Sequence, residues 1–268
     1  MSQLPKQLAA EFVGTALLLA AVVGSGIMGE RLSGGNAAIA LLANAIATGA
    51  VLYALIAALA PVSGAHFNPL VTLSQVMLGK MEARPASAYV VTQIVAALAG
   101  LLIAHWMFEL PAFSPSHHAR SGSGQLLSEI VATFGLLLVI LNCSSHKPES
   151  IPAAVALYIT AAYWFTASTS FANPVVTIAR SMTDTFSGIR PMDAPGFIGA
   201  QFIGAILAVL FHRCSPDISP GRPRLLAGAR VQPIRGCSIN LGSSGFGVTR
   251  ILAGSGSGIS GMPVLPIE

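Results

Sequence analysis

The sequence predicts an all-α membrane protein of six spanning helices and two half-helices, arranged as an inverted repeat. Three observations carry that expectation. Only 9 % of the 268 residues are charged and 53 % are apolar, against roughly 25 % charged in soluble domains. Asp, Glu, Lys and Arg are absent from residues 12–29, 32–79, 85–108, 130–146, 150–179 and 194–212. A spanning helix needs about 20 such residues, so 32–79 and 150–179 are too long for one span each, and each contains an Asn-Pro pair. Finally, segments of the first half recur in the second.

The elements follow in order. Residues 1–6 are a short polar start. The apolar run after them carries Glu11 and has no convincing small-residue cleavage site, which argues against a signal peptide. Span 1 covers about 8–28 and span 2 about 36–60. Pro61-Val-Ser-Gly64 breaks the helix, and Asn68–Leu78 reads as the first half-helix. Span 3 covers about 85–108; residues 109–125, rich in Pro, Ser, His and Gly, form a loop. Span 4 covers about 126–143, a turn follows at 146–150, and span 5 covers about 151–167. The second half-helix is expected at about 173–183 and span 6 at about 194–212.

The repeat relates residues 5–109 to residues 125–213. Gln7-Leu-Ala-Ala-Glu11-Phe-Val-Gly-Thr15 reads against Gln125-Leu-Leu-Ser-Glu129-Ile-Val-Ala-Thr133. Tyr89-Val-Val-Thr-Gln93 reads against Phe197-Ile-Gly-Ala-Gln201. Three spans per half force the second copy to enter from the opposite side, which places the site at the repeat interface near the bilayer midplane. Lys6, Lys80, Arg84, Lys147 and Arg213 fall on one side, and Arg31, Arg120, Arg180 and Arg190 on the other. With the cations of the tail, that balance favours cytoplasmic termini. Ala16, Ala20 and Gly24 in span 1, and Gly196, Ala200 and Gly204 in span 6, are spaced for close helix contact. Residues 1–213 thus form the membrane domain. Residues 214–268, where Gly, Ser and Pro make up 24 of 55, read as a disordered tail.

Asn68-Pro69 and Asn173-Pro174 each place a helix cap and a first-turn proline inside apolar sequence. Such a helix start at membrane depth is tolerable only where it lines a protein-walled, watery cavity. Each asparagine would cap its own half-helix and point its amide N–H groups into the lumen. Two helix N-termini meeting there favour solutes with oxygen acceptors and oppose cations, protons included.

In these motifs the sequence resembles the aquaporin and aquaglyceroporin (major intrinsic protein) family. The resemblance covers about residues 5–213: Ala10-Glu-Phe-Val-Gly-Thr15, Ser63-Gly-Ala-His-Phe-Asn-Pro69 and the second Asn173-Pro174. It implies an aquaporin-like fold, commonly a homotetramer with one pore per subunit. The family's Asn-Pro-Ala boxes are altered here to Leu70 and Val175, so the resemblance implies a differently lined central constriction. The family's second constriction is built around an arginine three residues after the second asparagine, where this chain has Val176. Gapless counting from the asparagines puts Thr48, Ala161 and Ser170 at the other filter positions. That ring carries no fixed charge and implies passage of larger neutral solutes. Arg180 lies two turns beyond Asn173 on the same face. It reads as a vestibule residue or as a partner of Asp184, with a displaced filter residue as the alternative. The run 173–189 also resembles a bacterial arsenic-resistance-associated subgroup, which implies passage of arsenite or methylated arsenicals.

Glu11 and Glu129 are intramembrane carboxylates, functional suspects by default. The resemblance makes them structural: each accepts hydrogen bonds from the backbone leading into a half-helix. A proton relay is the alternative. Gln93 and Gln201 are expected to bind helix backbone, His66 to be a satisfied loop histidine, and His105, His117, His118 and His146 to be loop or interface residues. Cys143, Cys214 and Cys237 stand in unrelated contexts and suggest neither disulfide nor metal site. The spans hold no nucleophile–base pair, so an enzyme is not expected, nor a cofactor. The net charge of +4 comes without aromatic–basic interleaving and does not suggest nucleic acid. The expectation is a passive channel for water, glycerol-like polyols and arsenicals in the inner (plasma) membrane. The competing reading is an ion-coupled secondary transporter of the same architecture.

Overall fold

A computed structural model describes residues 3–214. The tail expected to be disordered lies outside the described residues, apart from Cys214. Six long helices and two short ones make up the described chain: α1 (Leu4–Leu32), α2 (Ala37–Ser63), α3 (Pro69–Met77), α4 (Ala83–Met107), α5 (Ser123–His146), α6 (Ile151–Phe165), α7 (Pro174–Arg180) and α8 (Ala194–Cys214). Helices α1, α2, α4, α5 and α8 are long and apolar enough to cross a membrane. Helix α6 has 15 residues, and a 3₁₀ turn at Pro148–Ser150 lengthens it by one turn. Helices α1 and α5 run three or four residues past both expected ends, whereas α3, α6 and α7 are shorter than expected. Pro61 does not stop α2, which continues to Ser63 and ends where Gly64, at φ +86°, supplies a left-handed cap.

The repeat is visible in the packing. Helix α1 lies between α2 and α4, α5 between α6 and α8, and α2 meets α6 at the seam. The short helices cross over: α3 rests on α4 and also on α8, α7 on α8 and also on α4. Small residues make the close crossings possible. A Cβ at Gly204 would stand 2.5 Å from the Ile130 carbonyl oxygen, and one at Gly100 would overlap the Ala16 carbonyl oxygen. Leu19, Val23, Ala45, Leu101, Ala132 and Ala172 belong to one buried cluster at the centre, while Phe12, Leu42, Val91, Leu127 and Phe211 face outward. Large apolar side chains outside and small ones at the crossings are what a bilayer environment requires.

The mirrored half-helices are the elements that position the site. Asn68 and Asn173 cap them in extended conformations (φ −152° and −157°), each side-chain oxygen accepting from the N–H two residues on. Both helices start with the buried proline after the cap, whose missing N–H is an orphan at that position anyway.

Candidate functional site

Two strained loops lead into the half-helices, and they match residue for residue. Gly64, Ala65 and Phe67 have positive φ in the first; Thr169, Ser170 and Ala172 have positive φ in the second. Each such non-glycine conformation costs about 1–3 kcal/mol and persists only where the surroundings hold it. The buried carboxylates do the holding. Glu11 Oε1 accepts from Ser63 Oγ at 2.8 Å and His66 N at 2.9 Å, and its Oε2 from Phe67 N at 2.8 Å and Gln93 Nε2 at 2.9 Å. Glu129 accepts from Phe171 N at 2.9 Å, Ala172 N at 2.9 Å and Gln201 Nε2 at 2.6 Å. The glutamines therefore bind carboxylates, and Thr72 and Thr177, rather than the helix backbone expected of them. With their N–H groups drawn to the glutamates, His66 and Phe171 leave their carbonyls without a protein donor among the described residues, beside a cavity.

The loops are stitched to one another by the asparagines. Asn68 Nδ2 donates to Ala172 O and Asn173 Nδ2 to Phe67 O, both at 2.8 Å across more than 100 residues of chain. This corrects the expectation that both N–H groups of each amide point into the lumen: one is spent on the opposite loop, which leaves one for a solute.

Both asparagines border a cavity of about 260 Å³. It runs from Gln75, Ser144 and Ile151, toward the face that carries both described chain ends, to Thr48, Tyr163 and Arg180 toward the distal face. Leu18, Val22, Leu52, Ile56 and Val155 form an apolar wall; the loop backbones and asparagines supply the polar one. Such a lining offers a small solute oxygen acceptors and amide donors in exchange for water, while the apolar wall offers it nothing.

Several expected site residues fall elsewhere. Leu70 and Val175 are buried but do not border the cavity. Leu70 packs with Val71, Leu137 and Ala208, and Val175 lies in the central cluster, so the altered boxes change helix packing and leave the lumen to Val71 and Val176. Thr48, Ser170 and Val176 do line the cavity. Ala161 does not; it is exposed on the outside of α6. Tyr163, two residues on, faces inward, with its hydroxyl 3.1 Å from Thr48 Oγ1.

Arg180 does not pair with Asp184. That carboxylate accepts from His117 N at 2.9 Å and contacts His117 Nδ1 at 3.0 Å, and the His117 backbone bond is the main cause holding it below the usual carboxylate range. Arg180 instead is buried, donates from Nε to Ser187 O, and stacks its guanidinium 3.4 Å from the centre of the Phe171 ring. Arg120 approaches the same ring at 5.3 Å and ties Gly188 O and Ser168 O together. His66 borders the cavity, bonded through Nδ1 to Thr72 at 3.0 Å. His105 is fully buried between Pro111 O and Thr183 Oγ1. Tyr163, Phe171 and Ser187 were not foreseen. Tyr163 and Phe171 stand two residues from Ala161 and Asn173 in charge-free sequence, which was the signal available; Ser187, between Asp184 and Arg190, carried none.

Helices that cross a membrane, two re-entrant half-helices and a cavity at their junction define the class of membrane pore proteins. The sequence profile of the family described as Major intrinsic protein matches residues 1–162. The chain is 52 % identical over 220 residues to Aquaglyceroporin AqpS of Rhizobium meliloti (strain 1021), covering 82 % of this chain and 93 % of that protein. It is 31 % identical over 217 residues to Aquaporin A of Dictyostelium discoideum, covering 76 % of each. The X-ray structure of the aquaglyceroporin from Plasmodium falciparum matches with a TM-score of 0.61 at 21 % identity, covering 78 % of this chain and 95 % of that one, a likeness of fold. The chain belongs to the major intrinsic protein family, a multi-pass membrane channel family and not one of enzymes.

Proposed function

We propose that the protein is a passive channel for small neutral solutes, namely water, glycerol-like polyols, and arsenite or methylated arsenicals. The observation that carries this reading is the lined cavity between the two asparagine-capped half-helices, apolar on one wall and hydrogen-bonding on the other. Two features support a pore wider than a water filter: Val176 stands where the family's arginine is expected, and Ser170 and Thr48 are small. The likeness to a protein named an aquaglyceroporin supports glycerol and water; the arsenical arm rests on the resemblance of residues 173–189. Residues 1–213 act as the channel domain, as a homotetramer in the plasma membrane with cytoplasmic termini. The transporter reading is weaker, because Glu11 and Glu129 have their oxygens occupied by loop N–H groups and glutamine amides and are not free to take up a coupling ion.

Stopped-flow light scattering on proteoliposomes tests the reading. Water, glycerol and arsenite permeation should all exceed that of empty vesicles, without response to a proton gradient. Val176→Arg should cut glycerol and arsenite flux by about tenfold, the factor that 1.4 kcal/mol represents, with water flux retained. Flux that saturates and follows a proton gradient would favour the transporter.

A further inference from the structure

We propose that Arg180 is the specificity-determining residue of this pore, and that it selects neutral solutes carrying two oxygen atoms close enough to share one guanidinium. The inference rests on the channel reading above and names the solute class. Arg180 is only 2 % exposed, yet it borders the cavity. Its Nε donates to Ser187 O; Nη1 and Nη2 have no hydrogen-bond acceptor among the described residues. Among the described residues no carboxylate forms an ion pair with it: Asp184 is engaged with His117, and the oxygens of Glu129 accept from Phe171 N, Ala172 N and Gln201. A buried cation with free donors is costly unless something in the lumen uses them.

The geometry fixes the fork. The guanidinium lies 3.4 Å from the Phe171 ring centre, and that ring is held by Phe197 at 5.2 Å and by the Phe171 N–H bond to Glu129. Ser187, which accepts from Nε, ends a chain of buried contacts: His105 Nε2 to Thr183 Oγ1 at 2.7 Å, then to Thr185 at 3.0 Å and Ser187 Oγ at 3.4 Å. A planar fork so held matches paired oxygens and not a single acceptor. Val176 contributes no donor, and Arg180 stands four residues, about 6 Å, further along α7 toward the distal face. The donors at this end of the pore therefore belong to Arg180, with the Thr48–Tyr163 pair beside the same cavity. Vicinal diols and undissociated oxyacids are the solutes with that chemistry.

Two isomers of equal size test it: propane-1,2-diol and propane-1,3-diol, in proteoliposomes of the full chain, with empty-vesicle permeation subtracted. The wild type should pass the 1,2-isomer about fivefold faster, the effect of one additional hydrogen bond. Arg180→Lys keeps the charge and loses the fork; its 1,2- to 1,3-isomer ratio should fall to near one. Equal permeation of the isomers by the wild type overturns the proposal, and so does an unchanged ratio in Arg180→Lys. If the variant does not reconstitute, the wild-type ratio decides alone. Absence of any solute flux through folded wild type would instead overturn the channel reading.

Discussion

Replacing Glu129 with Gln removes one charge and almost nothing in volume, so its effect isolates the anchoring of the second loop. Glu129 accepts from Phe171 N, Ala172 N and Gln201 Nε2. A glutamine offers one acceptor oxygen and sets its own NH2 against the remaining donors. Two charge-assisted bonds are then lost at about 1.5–3 kcal/mol each, roughly 3–6 kcal/mol together. The strain of Thr169, Ser170 and Ala172, at positive φ, is no longer opposed, and Asn173 loses the geometry that lets it reach Phe67 O. Glycerol flux in proteoliposomes should fall to near the level of empty vesicles. The apparent melting temperature of the detergent-solubilised protein should drop by at least about 5 °C, at 2–4 °C per kcal/mol for a chain of this size. Glu11→Gln should behave alike through Ser63, His66, Phe67 and Gln93. Retention of full flux with a melting shift under about 2 °C would refute the anchoring argument, because so little change means the loops hold their shape without the carboxylates.

Other expected outcomes concern packing and strain. Gly100→Ala should destabilise by about 1–3 kcal/mol, since its Cβ would overlap the Ala16 carbonyl oxygen; Gly199→Ala, with nothing within 4 Å, should be neutral or stabilise by up to about 1 kcal/mol. Thermal unfolding of the two variants side by side checks the pair, and equal effects would contradict the crossing geometry. Thr169 holds φ +61° where the first loop has Gly64. Thr169→Gly should therefore leave stability unchanged or raise it by about 1 kcal/mol, while Gly64→Thr lowers it by at least as much. A loss of stability in Thr169→Gly would show that the Thr side chain matters more than its backbone strain.

Much of this architecture was legible in the chain because membrane depth imposes hard rules. A charge-free stretch too long for one span must be folded twice, and an Asn-Pro inside it marks where a new helix begins; both half-helices start where those pairs stand. The glutamates stood out as carboxylates in apolar sequence, but their bracing role was implied only by the family resemblance, with a proton relay as the alternative; the structure spends their oxygens on N–H groups of the re-entrant loops. The filter was less legible. Ala161 and Tyr163 are two residues apart, about 200° around a helix, so a counting offset of two turns the expected side chain from the cavity to the outside. Leu70 and Val175 failed for a related reason. Each is the second residue of a half-helix, whose lumen-facing position is the residue after it, Val71 or Val176.

By itself, then, the sequence determined the helix count, the inverted repeat and the two capped half-helices, because each follows from spacing and from the absence of water around the backbone. Only the tertiary structure decided what the pore presents to a solute. Asn68 meets Ala172 across 104 residues of chain, and Arg180 leaves its near neighbour Asp184 for the Phe171 ring and the Ser187 carbonyl. Those choices depend on which faces of distant helices converge on one cavity, and local sequence carries no record of that convergence.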